Sequence, residues 1–222
     1  MKIQIESNLL RYLFRNVYFL NGTAYAGKST MVRLLAQKYD GICCGENYHL
    51  IFREAADPAH QPCTSYFQTM SSWQEFVSRS PEEYAAWIEG GAREAAEAEI
   101  LRLVQLVQEN RKIFVDTNIS VDILREIAAW DHVAIMLSPQ SMSVDRFFER
   151  GDPEKQFILQ QLQAHPDPDW AMANYRACLE RINSQANYHA FAGSGFFTHV
   201  RTEQSTIEGT LDILARHFGL QA

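Results

Sequence analysis

The chain has 222 residues, a formal net charge of −7, 46% hydrophobic and 21% charged residues. These values suit one folded domain with room for an inserted lobe. They exclude a membrane span, since no apolar stretch approaches the roughly 20 residues required, and no basic run offers a track for nucleic acid.

The first fifteen residues carry acidic and polar side chains where a signal peptide would be apolar, so an unprocessed cytoplasmic protein is expected. Asn8–Phe14 reads as a short helix. Val17–Leu20 then reads as a buried strand, followed by "GTAYAGKST". Gly22 to Ser29 fits GxxxxGK[ST] at every fixed position, between a strand and a helix. Two glycines let the backbone curl so that successive N–H groups point inward, and the helix starting near Lys28 adds its positive end. Lys28 is placed to reach the β- and γ-phosphates of a nucleotide, and Ser29 to ligate Mg²⁺. Gly22, Thr23, Ala24, Tyr25, Ala26, Gly27, Lys28, Ser29 and Thr30 therefore form the candidate cofactor loop. The ring of Tyr25, in its variable middle, is placed to shield the phosphates from one side.

Lys28–Tyr39 has helical spacing and Gly41–Cys44 reads as a second strand. After it, "GENYHLIFRE" supplies Glu46, His49 and Arg53, candidates for acceptor binding. The chain then spends about seventy residues before the third strand, far more than one crossover helix needs. Residues 48–89 read as a helical lobe over the sheet edge, whose aromatics suit a core better than a stacking platform. Ser72–Glu75 and Ser80–Glu83 have capping-box spacing, the second with Pro81 at the first helical position. The helix after Pro81 puts Ala96, Ile100, Leu103, Val104 and Val107 on one face, and Gly90-Gly91 is expected to bend or break it.

Ile113–Val115 is the third strand, and "KIFVDTN" ends it at Asp116. That carboxylate suits either the water shell of Mg²⁺ or the cap of the helix in "DTNISVDILREIA", and the roles can coexist. His132–Leu137 is the fourth strand. Residues 141–165 give two helical pieces separated at Gly151-Asp152-Pro153, and "HPDPDW" at 165–170 reads as a loop. A helix follows from about Trp170 past Ile182. Phe196–Val200 is the fifth strand, and Ser205–Glu208 has capping-box spacing before a helix ending at Gly219. The βαβα alternation implies an α/β fold with a parallel sheet. Cys43, Cys44, Cys63 and Cys178 form no CxxC pair and read as reduced thiols.

"GTAYAGKST", the "FVD" strand end, "DRFFERGD" and the closing "HVRTEQSTIEGTLDIL" together resemble the P-loop kinase group that contains nucleoside monophosphate kinases and shikimate- and gluconate-type small-molecule kinases. The resemblance frames most of the chain, and its first motif is the specific one. It implies a single three-layer P-loop NTPase domain with a five-stranded parallel sheet in the order 2-3-1-4-5. It further implies an acceptor lobe inserted after strand 2 and a lid in residues 141–165. Arg146 and Arg150, four apart in that segment, are its candidates for neutralising transferred charge, with a solvated face paired to Asp145 or Glu149 as the plainer reading.

The resemblance implies ATP and Mg²⁺ as cofactors and a small-molecule acceptor as partner. For a hydroxyl acceptor a carboxylate must take the proton, and Glu46 is in position, with Asp116 second. The "DR" motif of thymidylate kinases is replaced by "DTN", which favours a non-nucleotide acceptor. The catalytic set is thus Lys28, Asp116, Glu46, Arg146 and Arg150. Rival readings are a nucleoside monophosphate kinase and a non-catalytic ATP-binding module. No NKxD-type guanine reader accompanies the five lysines.

Overall fold

The computed structural model describes residues 5–145, 147–149 and 153–220. Five strands, β1 (Val17–Gly22), β2 (Ile42–Cys44), β3 (Ile113–Asp116), β4 (Val133–Leu137) and β5 (Phe197–Val200), form one all-parallel sheet ordered β2-β3-β1-β4-β5. This is the order that the resemblance implies. The helices in chain order are α1 (Ser7–Leu13), α2 (Lys28–Lys38), α3 (Tyr66–Thr69), α4 (Trp73–Val77), α5 (Pro81–Leu106), α6 (Val121–Ile127), α7 (Gln140–Asp145), α8 (Pro153–Gln163), α9 (Pro168–Ile182), α10 (Gln185–Ala192) and α11 (Ile207–His217). A 3-10 helix covers Tyr48–Ala55.

Both faces of the sheet are covered, which explains why its strands read as continuous apolar runs. Along β1, Val17 and Phe19 point into one cluster with Leu10 of α1, Leu103 and Leu106 of α5 and Leu124 of α6. Tyr18 and Leu20 point the other way, into a cluster with Met31 and Leu35 of α2 and Leu214 of α11. Side chains such as Phe19 and Leu35 are fully buried, each stabilising the fold by about 1.5–3 kcal/mol. A third cluster lies apart from the sheet: Phe76 of α4 and Tyr84 of α5 pack with Leu162 of α8 and Tyr175 and Leu179 of α9. The lobe after β2 and the helices after β4 thus share one core.

The N-terminal helix belongs to the domain. Leu10 and Phe14 are buried, and the Arg11 guanidinium donates to the carbonyls of Arg125 (2.7 Å) and Glu126 (3.0 Å). Those carbonyls lie in the last turn of α6, where helix oxygens lack partners and a cation is favoured.

Several local expectations are corrected. Gly90-Gly91 does not break α5, which runs as one helix of 26 residues. A methyl at Gly90 would collide with Cys63 Sγ, so this glycine permits close approach of the preceding loop. Gly90→Ala is therefore expected to destabilise by about 1–3 kcal/mol despite alanine's better helix propensity. Urea denaturation would measure it, and adding Cys63→Ala should recover most of the loss.

At α4, Ser72 accepts from Glu75 N, but the Glu75 carboxylate turns to Ser71 N and Oγ, so the box closes one residue early. The cap of α11 is Thr206, accepting from Gly209 N, rather than Ser205. In "HPDPDW" the helix already starts at Pro168 with Asp167 as its cap, since proline at the first position needs no N–H partner. The four cysteines are free thiols. Among the described residues no helix is long and apolar enough to cross a membrane.

Candidate functional site

The loop from Gly22 to Ser29 joins the C-terminal end of the central strand β1 to α2. Gly22 (φ 126°), Tyr25 (φ 64°) and Gly27 (φ 94°) all have positive φ. At Gly22 a side chain would overlap the carbonyl of Met136 on the adjacent strand β4. The loop is braced from β4 and the residues after it. Thr23 N donates to Met136 O (3.0 Å), and Ser138 N to Thr23 Oγ1 (2.8 Å). The hydroxyls of Ser138 (2.6 Å) and Ser143 (3.1 Å) converge on the carbonyl of Ala24. Arg201, just past β5, donates to the carbonyl of Tyr25 at 2.7 Å. With its carbonyls held outward, the loop keeps the N–H groups of Ala26, Gly27, Lys28 and Ser29 without a partner among the described residues. Unused donors at a helix N-terminus form an anion site.

Lys28 folds back across the loop, its Nζ 3.1 Å from Thr23 O and 3.5 Å from Gly22 O. Asp116 ends β3, next to β1, and is 5% exposed. Its Oδ2 accepts from Ser29 Oγ at 2.6 Å, and its Oδ1 is 3.9 Å from Lys28 Nζ. Asp116 is not the helix cap, because Ser120 accepts from Ile123 N at the start of α6. A hydroxyl and a carboxylate make a hard oxygen pair of the kind Mg²⁺ uses, alongside phosphates and water, in place of an all-protein cage. Among the described residues no cluster of three or more His, Cys, Asp or Glu side chains is suited to a metal.

A cavity of about 320 Å³ opens beside Lys28 and Asp116, bounded by the ends of β1 and β3, by Ala92 of α5 and by Phe191 of α10. Glu46, Asn118 and Ser120 line it. The structure therefore brings Lys28, Asp116 and Glu46 onto one space. His49 and Arg53 line a separate cavity of about 180 Å³ between the 3-10 helix and α5. Burial lowers the His49 pKa, favouring the neutral ring. Tyr25 directs its hydroxyl to the carbonyl of Phe147 at 3.0 Å, toward the segment after β4. Thr30 follows Ser29 in the first turn of α2. Arg146 and Arg150 lie outside the described residues.

Arg201 was read only as part of the closing "HVRTEQSTIEGTLDIL" motif, and a second residue beside the site escaped the sequence reading altogether. Glu99 of α5 is fully buried and accepts from Thr117 Oγ1 (2.5 Å), Asn118 N (3.1 Å), Asn118 Nδ2 (2.9 Å) and Tyr48 Oη (3.3 Å). Burial raises its pKa while these hydrogen bonds lower it, leaving it above the ordinary carboxylate value. A charged residue on the buried face of an amphipathic helix was the signal that could have revealed it. Comparison of the chain with protein-family models, with curated proteins and with solved structures returned no match.

Proposed function

We propose that this chain is a cytoplasmic P-loop kinase-type phosphotransferase that moves the γ-phosphoryl group of Mg-ATP to a hydroxyl group of a small molecule. The observation that carries this reading is the convergence of Lys28, the Ser29–Asp116 pair and Glu46 on one cavity at the mouth of a positive-φ loop. Bound Mg-ATP supplies the transferable group and the divalent charge. The N–H groups from Ala26 to Ser29 and the Lys28 ammonium would cradle its phosphates. Ser29 and Asp116 would hold the metal, directly or through water. Glu46, exposed at the cavity wall, would take the hydroxyl proton as the acceptor oxygen bonds to phosphorus and the bond to ADP breaks. In this reading residues 48–89 form the acceptor lobe, residues 141–165 the lid, and Arg146 or Arg150 neutralises the transferred charge.

A screen of polyols, amino alcohols, hydroxy acids and nucleoside monophosphates for stimulated ADP release tests the reading. A hydroxyl compound is expected to stimulate, and Glu46→Gln to lower that rate by about 10²–10⁴-fold, the usual contribution of a general base. A nucleoside monophosphate as the best acceptor would move the acceptor group from hydroxyl to phosphate. Stimulation by no compound would leave a nucleotide-binding module without transfer.

A further inference from the structure

Behind the cavity sits a carboxylate that the proposed reaction does not use. Glu99 is itself fully buried, receives donors from Tyr48, Thr117 and twice from Asn118, and has His49 Nδ1 at 3.7 Å from its Oε1. Four donors converge on Glu99, which therefore acts as an acceptor, so the Asn118 carboxamide beside it has one orientation. Its Nδ2 faces Glu99, and its Oδ1 is left without a partner among the described residues. Asn118 is exposed and lines the cavity with Glu46 and Asp116. Glu46, Asp116 and Asn118 thus present oxygen acceptors to the cavity, with the Glu99 carboxyl group behind them. Lys28 is its cationic lining residue among those described, and the phosphotransfer reading assigns Lys28 to the nucleotide and Asp116 to the metal, which leaves Glu46 and Asn118 facing the acceptor. A phosphate or carboxylate on the acceptor would meet like charge here, whereas hydroxyl or ammonium hydrogens would meet partners.

We propose that Glu99 is a positioning residue that fixes Asn118 Oδ1 as a recognition group, so that the site selects a donor-bearing, uncharged or cationic acceptor such as a polyol or amino alcohol. The inference rests on the phosphotransfer reading for placing the acceptor in this cavity. Its test is a binding measurement, independent of turnover. Glucose, glucosamine, gluconate and glucose 6-phosphate are titrated calorimetrically into the full chain with Mg-ADP present.

Glucose or glucosamine is expected to bind at least about tenfold more tightly than either anion, and Asn118→Ala to weaken that binding by about tenfold, the scale of one buried hydrogen bond. Glu99→Gln should weaken it similarly, because its amide can present a donor to the Asn118 donor. The double variant Glu99→Gln/Asn118→Asp reverses the pair, restores a donor-to-acceptor contact and should recover binding, with preference shifted to glucosamine. Mg-ADP affinity, measured on every variant, should stay within about twofold of wild type, since the phosphate loop lies across the cavity.

Tighter binding of gluconate or glucose 6-phosphate would overturn the proposal. So would binding of none of the four at millimolar concentration, or a double variant no better than Glu99→Gln alone. Loss of Mg-ADP binding together with acceptor binding in Glu99→Gln would show a purely structural role and equally overturn it. Glucose or glucosamine binding as expected without stimulating ADP release would support this recognition while leaving the phosphotransfer reading to the outcome of the wider acceptor screen.

Discussion

Lys28→Ala is expected to lower acceptor-stimulated ADP release by about 10²–10³-fold, the loss typical of removing one group aimed at transition-state charge. The side chain is 17% exposed and is held over the loop by Thr23 O and Gly22 O, with Asp116 at 3.9 Å. Its ammonium therefore rests where phosphate oxygens would arrive, pre-positioned by carbonyls that it can release. The fold should tolerate the change, because the buried Asp116 keeps its hydrogen bond from Ser29; a stability loss of about 1–2 kcal/mol is expected. Steady-state kinetics with matched thermal melts would separate the two effects. Lys28→Arg should not rescue, since a planar fork cannot replace a compact point charge in so tight a loop. A Lys28→Ala variant with unchanged stimulated rate would sink the phosphotransfer reading.

Gly22→Ala should produce the largest stability loss of any single methyl addition near the site. The residue has φ 126°, a region closed to side chains, and a methyl there would overlap the backbone carbonyl of Met136. That carbonyl also accepts from Thr23 N, so relief by moving β4 would break a hydrogen bond and disturb a fully buried strand. Strain of this kind joined to a backbone clash costs about 4 kcal/mol or more. For a domain of this size that corresponds to a melting temperature lower by roughly 10 °C. Gly27→Ala provides the contrast. It shares positive φ, but the nearest atoms to an added methyl are 4.0 Å away, so its loss is expected to be confined to backbone strain of about 1–2 kcal/mol. Equal losses at the two positions would show that the Met136 contact is not what makes Gly22 necessary.

The central strands β1, β3 and β4 were legible because they are buried on both faces and read as nearly unbroken apolar runs, while the less buried edge strands β2 and β5 were marked mainly by the turn residues that bound them. The Gly22–Ser29 loop was legible because its geometry demands glycine at two fixed places and a short hydroxyl after the lysine. What could not be read were contacts made by residues distant in the chain. Gly90 looked like a helix breaker because its partner, Cys63, is invisible to local pattern. Glu99 was missed because the helical face was set one position off: the residues in the sheet core are Ala96, Leu103 and Leu106, with Ile100 and Val104 only partly buried. On the corrected face a carboxylate stands between Ala96 and Leu103, and such a residue must have donors waiting for it. His49 and Arg53 followed Glu46 in sequence, but the 3-10 turn carries them round to another cavity.

The unbroken course of α5 has a further consequence. Its first turns belong to the aromatic cluster of the lobe, its last turns to the core under the sheet, and Glu99 stands between them. A helix of 26 residues spans about 39 Å and passes rotation along its length as a stiff rod. A tilt imposed at the lobe, where the helices after β4 also pack, would therefore reach the Thr117–Asn118 turn as torque. In the phosphotransfer reading, a change on the nucleotide side would then be felt at the acceptor wall, and by reciprocity a molecule seated against that wall would bias the nucleotide side.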